Sequence, residues 1–238
     1  MGQWTRERDA GTLRLTIASF ALFLGRVALP LASLAALQGY IPRQVLLPPV
    51  ERLVDTITVL GLAWAFVTMD APEVMKRRFT ADVAALVTLG ASLILFGGTL
   101  YFWSADLASN LLFNGSWLDG LWAALQIAIA VGGLVWMLAR IRYLYDPFLK
   151  GTMLVILAAA AALQVVRPSL GDVPAAMRLG QALVIPMLAA VAYRHVVERL
   201  LHWDDFEPSR LAGGAATTGG EVGIAAGGGG GGAGPGRG

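Results

Sequence analysis

The chain has 238 residues, 56% hydrophobic and only 14% charged, with a net charge of +2 and a mean hydropathy of +0.64. A soluble domain carries roughly 25% charged residues, so this composition lacks the polar surface to coat a soluble fold, and the length leaves no room for a large catalytic domain beside a membrane domain. Cysteine is absent, which excludes disulfides, thiolate metal sites and cysteine nucleophiles.

An all-α, polytopic transmembrane bundle of about six helices is therefore expected. Residues 13–38 are apolar except for Arg26 and run longer than one perpendicular crossing needs, which predicts a tilted helix bent near Pro30. Segment 15–25 followed by Ser33-Leu34-Ala35 has the outline of a signal peptide, but Arg26 between them argues against cleavage. A second helix is expected over 52–69, charge-free from Thr56, with Arg52 snorkelling at its end. Helices over 81–103 and 117–140 contain charge-free stretches at 83–105 and 120–139, each long enough to cross roughly 30 Å of hydrocarbon. Helices over 148–166 and 175–200 reach full length if Lys150 and Arg178 snorkel toward headgroups, and Pro186 predicts a kink in the last.

Loop charges report orientation, because basic residues are retained on the cytoplasmic side. The N-terminus (Arg6, Arg8, Arg14), the second loop (Lys76, Arg77, Arg78), the fourth (Arg140, Arg142, Lys150) and the C-terminal segment (Arg194, Arg199, Arg210, Arg237) hold 13 of the 18 basic residues. The opposite side holds Arg43, Arg52, Arg167 and Arg178. Both termini of this multi-pass chain are thus expected in the cytoplasm. Tyr101, Phe102, Trp103, Trp117 and Trp122 gather at one interface and Trp136, Tyr143, Tyr145 and Trp203 at the other, as lipid-anchoring belts do.

After Leu201 the composition turns to Gly and Ala, with six consecutive glycines at 227–232. Residues 202–238 are expected to be a cytoplasmic, linker-like tail without a core, after a cytoplasmic N-terminus at 1–12 and the membrane domain at 13–201. Such a tail reads either as a chain cut before an effector domain or as a helix end that once fed one. No strand precedes the glycines and no basic helix follows, so a phosphate-binding loop is rejected.

Polar residues within the apolar segments are the direct functional pointers, since burying them without partners is costly. They are Arg26, Asp55, Thr56, Thr58, Gln126, Gln164 and Gln181, and Arg26, Asp55, Gln126 and Gln181 are the ligand-binding candidates. Arg52 and Asp55, three apart, are expected to pair with each other near the outer face. Arg26 falls near mid-membrane and Asp55 near the outer surface, so their direct pairing would need Arg26 to reach outward past Pro30. The alternative use of small residues is packing: Gly97-Gly98, Gly132-Gly133 and the alanines at 158–162 let helices approach closely, within one bundle or in a homodimer.

The only histidines, His195 and His202, lie seven apart on one helix face and cannot supply facing haem ligands; no catalytic triad, H-E-x-x-H motif or carboxylate cluster is present. No cofactor, metal site, catalytic residue or nucleic-acid partner is expected. Val196, Val197, Leu200 and Leu201 recur at helical spacing past the membrane, beside Arg194, His195, Glu198 and Arg199, so the last helix is a candidate coupling helix to a cytoplasmic signalling domain or partner.

Leu46-Leu47-Pro48-Pro49-Val50-Glu51-Arg52 leading into Leu62-Ala63-Trp64-Ala65-Phe66, then Tyr145-Asp146-Pro147-Phe148-Leu149-Lys150-Gly151, and Arg178-Leu179-Gly180-Gln181 leading to Pro186 and Tyr193-Arg194, make a further pattern. In these the chain resembles the N-terminal multi-helix sensory region, often described as seven-transmembrane, of bacterial sensor histidine kinases and GAF-domain signalling proteins. The resemblance covers about residues 13–201. It implies a non-enzymatic membrane input or anchoring module acting on a cytoplasmic output through its last helix, although six spans are counted here and no kinase or GAF domain follows. The rival is a small transporter or an accessory subunit of a membrane complex; three-helix halves of opposite orientation would meet the condition for an inverted repeat.

Overall fold

In the computed structural model, which describes residues 10–40, 43–69, 75–106, 112–141, 144, 146–166 and 175–204, every element is an α-helix. They are α1 (Ala10–Leu37), α2 (Arg43–Met69), α3 (Met75–Asp106), α4 (Trp117–Leu138), α5 (Pro147–Val166) and α6 (Ala175–Asp204). The chain divides into two units, Met1–Tyr193 and Arg194–Gly238; in the second, 194–204 are helical. The expected tail beyond Asp204 lies outside the described residues.

The helix ends follow from local chemistry. α1 closes with Gly39 at φ +81°, Gly39 N–H donating to the Ala36 carbonyl and Tyr40 N–H to Ala35, a left-handed cap that glycine adopts without a Cβ penalty. α4 opens on Ser116, whose side chain accepts from Asp119 N–H, while the Asp119 carboxylate accepts from Gly115 N–H, so two amides that lack helical partners are satisfied. α5 opens with Pro147 in its first position, where a missing N–H is harmless.

Among the described residues, five helices are long and apolar enough to cross a membrane, at Leu13–Leu37, Thr80–Ser104, Trp117–Leu138, Pro147–Val166 and Ala175–Arg194. α2 is the sixth and differs in kind, since its first half carries Arg43, Glu51, Arg52 and Asp55. It lies at the centre of the bundle, packed against α1, α3, α4 and α5. Val59, Leu62, Ala65 and Phe66 form the middle of the core, against Ala18 and Leu22 of α1, Ala130 of α4 and Leu154, Leu157 and Ala161 of α5. A smaller apolar cluster joins Trp103, Phe113, Leu118 and Trp122.

The outward faces are apolar too. Phe20, Phe23 and Leu31 of α1, Leu86 and Ile94 of α3, Val135 of α4 and Leu179 of α6 are all exposed. That surface suits hydrocarbon and not water, and Glu51, Arg52 and Asp55 of α2 are hidden from it.

Four helix starts precede those of the sequence reading: α1 at Ala10 rather than 13, α3 at Met75 rather than 81, and those of α2 and α5. α2 begins at Arg43, nine residues before the expected 52, because Pro48 and Pro49 are accommodated inside the helix. α5 begins at Pro147, so Lys150 is inside its first turn and fully buried rather than snorkelling. Arg52 is likewise buried at 1% exposure, and only Arg178, half-exposed, keeps the interfacial position expected of all three.

Candidate functional site

Because α2 is surrounded, its polar side chains must find partners on neighbouring helices, and those partners define the site. Arg52 Nε donates to Asp119 Oδ1 at 2.6 Å, and its Nη2 donates to the side-chain oxygen of Asn114. The guanidinium also stands 5.5 Å from the Phe113 ring centroid. Gln164 of α5 donates to the same Asp119 oxygen at 2.8 Å. One turn deeper, Gln126 Nε2 of α4 donates to Thr56 Oγ1 at 3.1 Å, and Thr56 Oγ1 donates to the Arg52 carbonyl.

A second group lies on the α1 and α6 side of α2. Arg26 Nη2 meets Asp55 Oδ1 at 3.1 Å, Gln181 Nε2 donates to the same oxygen at 2.8 Å, and Arg26 Nη2 donates to Gln181 Oε1. Arg178, one turn before Gln181, pairs with Glu51, one turn before Asp55, at 2.6 Å. α6 is thus attached to α2 by two rungs of side chains. Beside them Gly180 lets α6 approach α5, where a Cβ would stand 2.6 Å from that of Ala160.

Three guanidiniums, of Arg26, Arg52 and Arg178, face three carboxylates, of Glu51, Asp55 and Asp119, in a set with no net charge. In low dielectric each pair is stabilised only while both members remain, because removing one leaves an uncompensated buried charge. A third, smaller group ties α1, α2 and α3 together: Arg14 pairs with Asp82 at 2.7 Å, and Trp64 Nε1 donates to the other Asp82 oxygen at 2.8 Å.

Of the four ligand-binding candidates, Arg26, Asp55 and Gln181 come together in one cluster, and Gln126 belongs to the neighbouring Arg52 group. The expected pairing of Arg52 with Asp55 is overturned: each faces a different neighbour, Arg52 toward α4 and Asp55 toward α1 and α6. The expected mismatch in depth is overturned as well. With α2 starting at Arg43, Asp55 lies three turns inside the helix and level with Arg26. Thr58 donates to the Val54 carbonyl and takes no part in the site.

The reading missed Glu51, Asn114 and Asp119 and gave Arg178 only a snorkelling role; all four lie outside its charge-free runs. Ser116-x-x-Asp119 was a visible capping signal, but a cap does not announce that the carboxylate also receives a buried arginine. Among the small residues, Gly133 packs against Ala63 and Leu154 and Ala160 against Gly180, whereas Gly97, Gly98 and Gly132 have open space where a Cβ would project. Arg194 lies in α6; the side chains of His195, Glu198 and Arg199 are outside the described residues, as is His202.

Among the described residues no three His, Cys, Asp or Glu side chains converge where a metal could sit. A groove of about 240 Å³ lies between the ends of α4 and α5, apolar in lining, with Met137, Phe148 and Val155 along it and far in sequence from the charged groups. Fold and site together define a polytopic helical membrane protein whose central helix carries a charge-balanced set of ion pairs. No family model, curated protein or solved structure matches the chain.

Proposed function

We propose that this chain is a non-enzymatic sensory or anchoring module of a bacterial signalling protein, coupled through α6 to a cytoplasmic output. In this reading it sits in the cytoplasmic membrane with both termini inside, as the 13 basic residues of alternate loops favour. A homodimer would bring two copies of α6 to one output.

The observation that carries the proposal is the attachment of α6 to the central helix. Arg178 and Gln181 hold one end of α6 on the buried charges of α2, and the same helix runs on to Asp204, beyond the apolar stretch that ends at Arg194. A change in the polar cluster therefore acts on the helix that leads toward the cytoplasm. Intramembrane charges mark functional positions by default, since hydrocarbon gives them no other partner.

The test joins a histidine-kinase catalytic region in helical phase after Asp204 and measures autophosphorylation in proteoliposomes. Arg178→Ala and Gln181→Ala are expected to change the rate by at least about fivefold, the lower end of ordinary allosteric coupling. Output indifferent to both would overturn the coupling. A reporter active only outside the cytoplasm, inserted in the 140–147 turn, is expected to be silent, and activity there would overturn the orientation.

A further inference from the structure

An arginine facing a carboxylate side-on can make two parallel bonds, one from Nε and one from a terminal nitrogen, each to a different oxygen. Arg26 and Asp55 make half of that arrangement. Nη2 meets Oδ1 at 3.1 Å, while Arg26 Nε and Asp55 Oδ2 are both buried and have no partner among the described residues. The two atoms left over are the matched donor and acceptor of the missing bond.

Gln181 engages the bonded half of the pair. Its oxygen accepts from the same Nη2 and its nitrogen donates to the same Oδ1, so the amide from α6 shares both atoms of the one bond that α1 and α2 make. We propose that Gln181 is a latch: α6 is held on α2 while the amide bridges Arg26 and Asp55, and is released when those two close into a two-bonded pair.

The alternatives are balanced in kind. The latched state has three hydrogen bonds and two unpartnered groups; the closed pair has two bonds and partners Arg26 Nε and Asp55 Oδ2, but the buried Gln181 amide that it frees must find new partners as α6 moves. A buried unpartnered polar group is costly, so the two in the latched state offset much of what the bridge contributes. The other rung, Arg178 to Glu51, is half-exposed on the arginine side and a weaker hold. Pro186 supplies a hinge five residues on, since it leaves the Ala182 carbonyl without its helical donor and lets the first turns of α6 tilt.

This inference rests on reading α6 as the output helix, but its test does not measure output. The chain has no cysteine, so two introduced cysteines carry spin labels uniquely. Phe23→Cys on α1 and Leu179→Cys on α6 both replace outward-facing side chains. In lipid nanodiscs, pulsed electron-spin measurement is expected to give one α1–α6 distance for the native interior and a distance changed by at least about 2 Å with Gln181→Leu, as packed helices shift. Adding Arg26→Lys, which cannot make the two-bonded pair, is expected to remove most of that change.

No change with Gln181→Leu overturns the latch, as does a change that persists undiminished with Arg26→Lys. Gln181→Asn, which keeps the amide but withdraws it by one methylene, carries the same expectations should the leucine variant fail to insert. A failed latch would leave the sensory reading standing. A moving α6 with indifferent kinase output would count against that reading alone.

Discussion

The indole of Trp103, on α3, donates at 2.8 Å to the carbonyl of Gln44, on α2. That carbonyl is the one Pro48, four residues on, has no N–H to reach. A tryptophan from the neighbouring helix thus takes over a bond that the proline removes, which is how α2 extends through Pro48 and carries Glu51, Arg52 and Asp55 into the bundle.

Trp103→Phe is therefore expected to destabilise the bundle by about 1 kcal/mol through the lost hydrogen bond. Pro48→Ala, which restores an N–H four residues from Gln44, should recover much of that loss in the Trp103→Phe background. Reversible unfolding of the four members of this cycle in detergent measures the coupling. Additive effects would show that the two residues are independent.

Asp119 receives Arg52, Gln164 and the Gly115 amide at once. Asp119→Ala is expected to cost about 3–5 kcal/mol, because it strands a buried guanidinium. Asp119→Ala combined with Arg52→Leu should be closer to the native stability than Asp119→Ala alone, since the double variant has no uncompensated charge. Thermal unfolding in nanodiscs distinguishes the outcomes.

Gly180→Ala would set a Cβ 2.6 Å from that of Ala160. It is expected to lower stability by about 1–3 kcal/mol, the usual range for overpacking, and Ala160→Gly should restore it. At Gly97 the same glycine-to-alanine change meets open space and is expected to be nearly silent. Unfolding midpoints of the three variants check this pattern.

The helices were legible because a membrane demands uninterrupted apolar length: the charge-free runs at 83–105 and 120–139 fall within α3 and across α4. Helix boundaries were less so where protein replaced lipid as the surroundings. At Pro48 the sequence implies a break, and the distant Trp103 takes up the carbonyl that this proline leaves free.

The site was legible in part for a similar reason. A polar side chain in an apolar run announces that a partner exists, as Arg26, Asp55 and Gln181 did, but not which helix supplies it. Arg52 and Asp55 stand three apart and look paired, yet α2 is enclosed, and each found a partner facing it from another helix. Glu51 and Asp119, near segment ends, carried the signature of solvated charges; their burial depends on how α2 sits among its neighbours.

The central claim is that α2, the charged helix, is sealed inside a bundle whose other helices face lipid. Hydrogen exchange of the intact chain in lipid nanodiscs, resolved to peptides, tests it most directly. Amides at 52–66 are expected to exchange as slowly as those at 120–136 of α4, with no faster window around Arg52 and Asp55. Exchange at 52–66 as rapid as that of open chain, while α4 stays protected, would contradict the account.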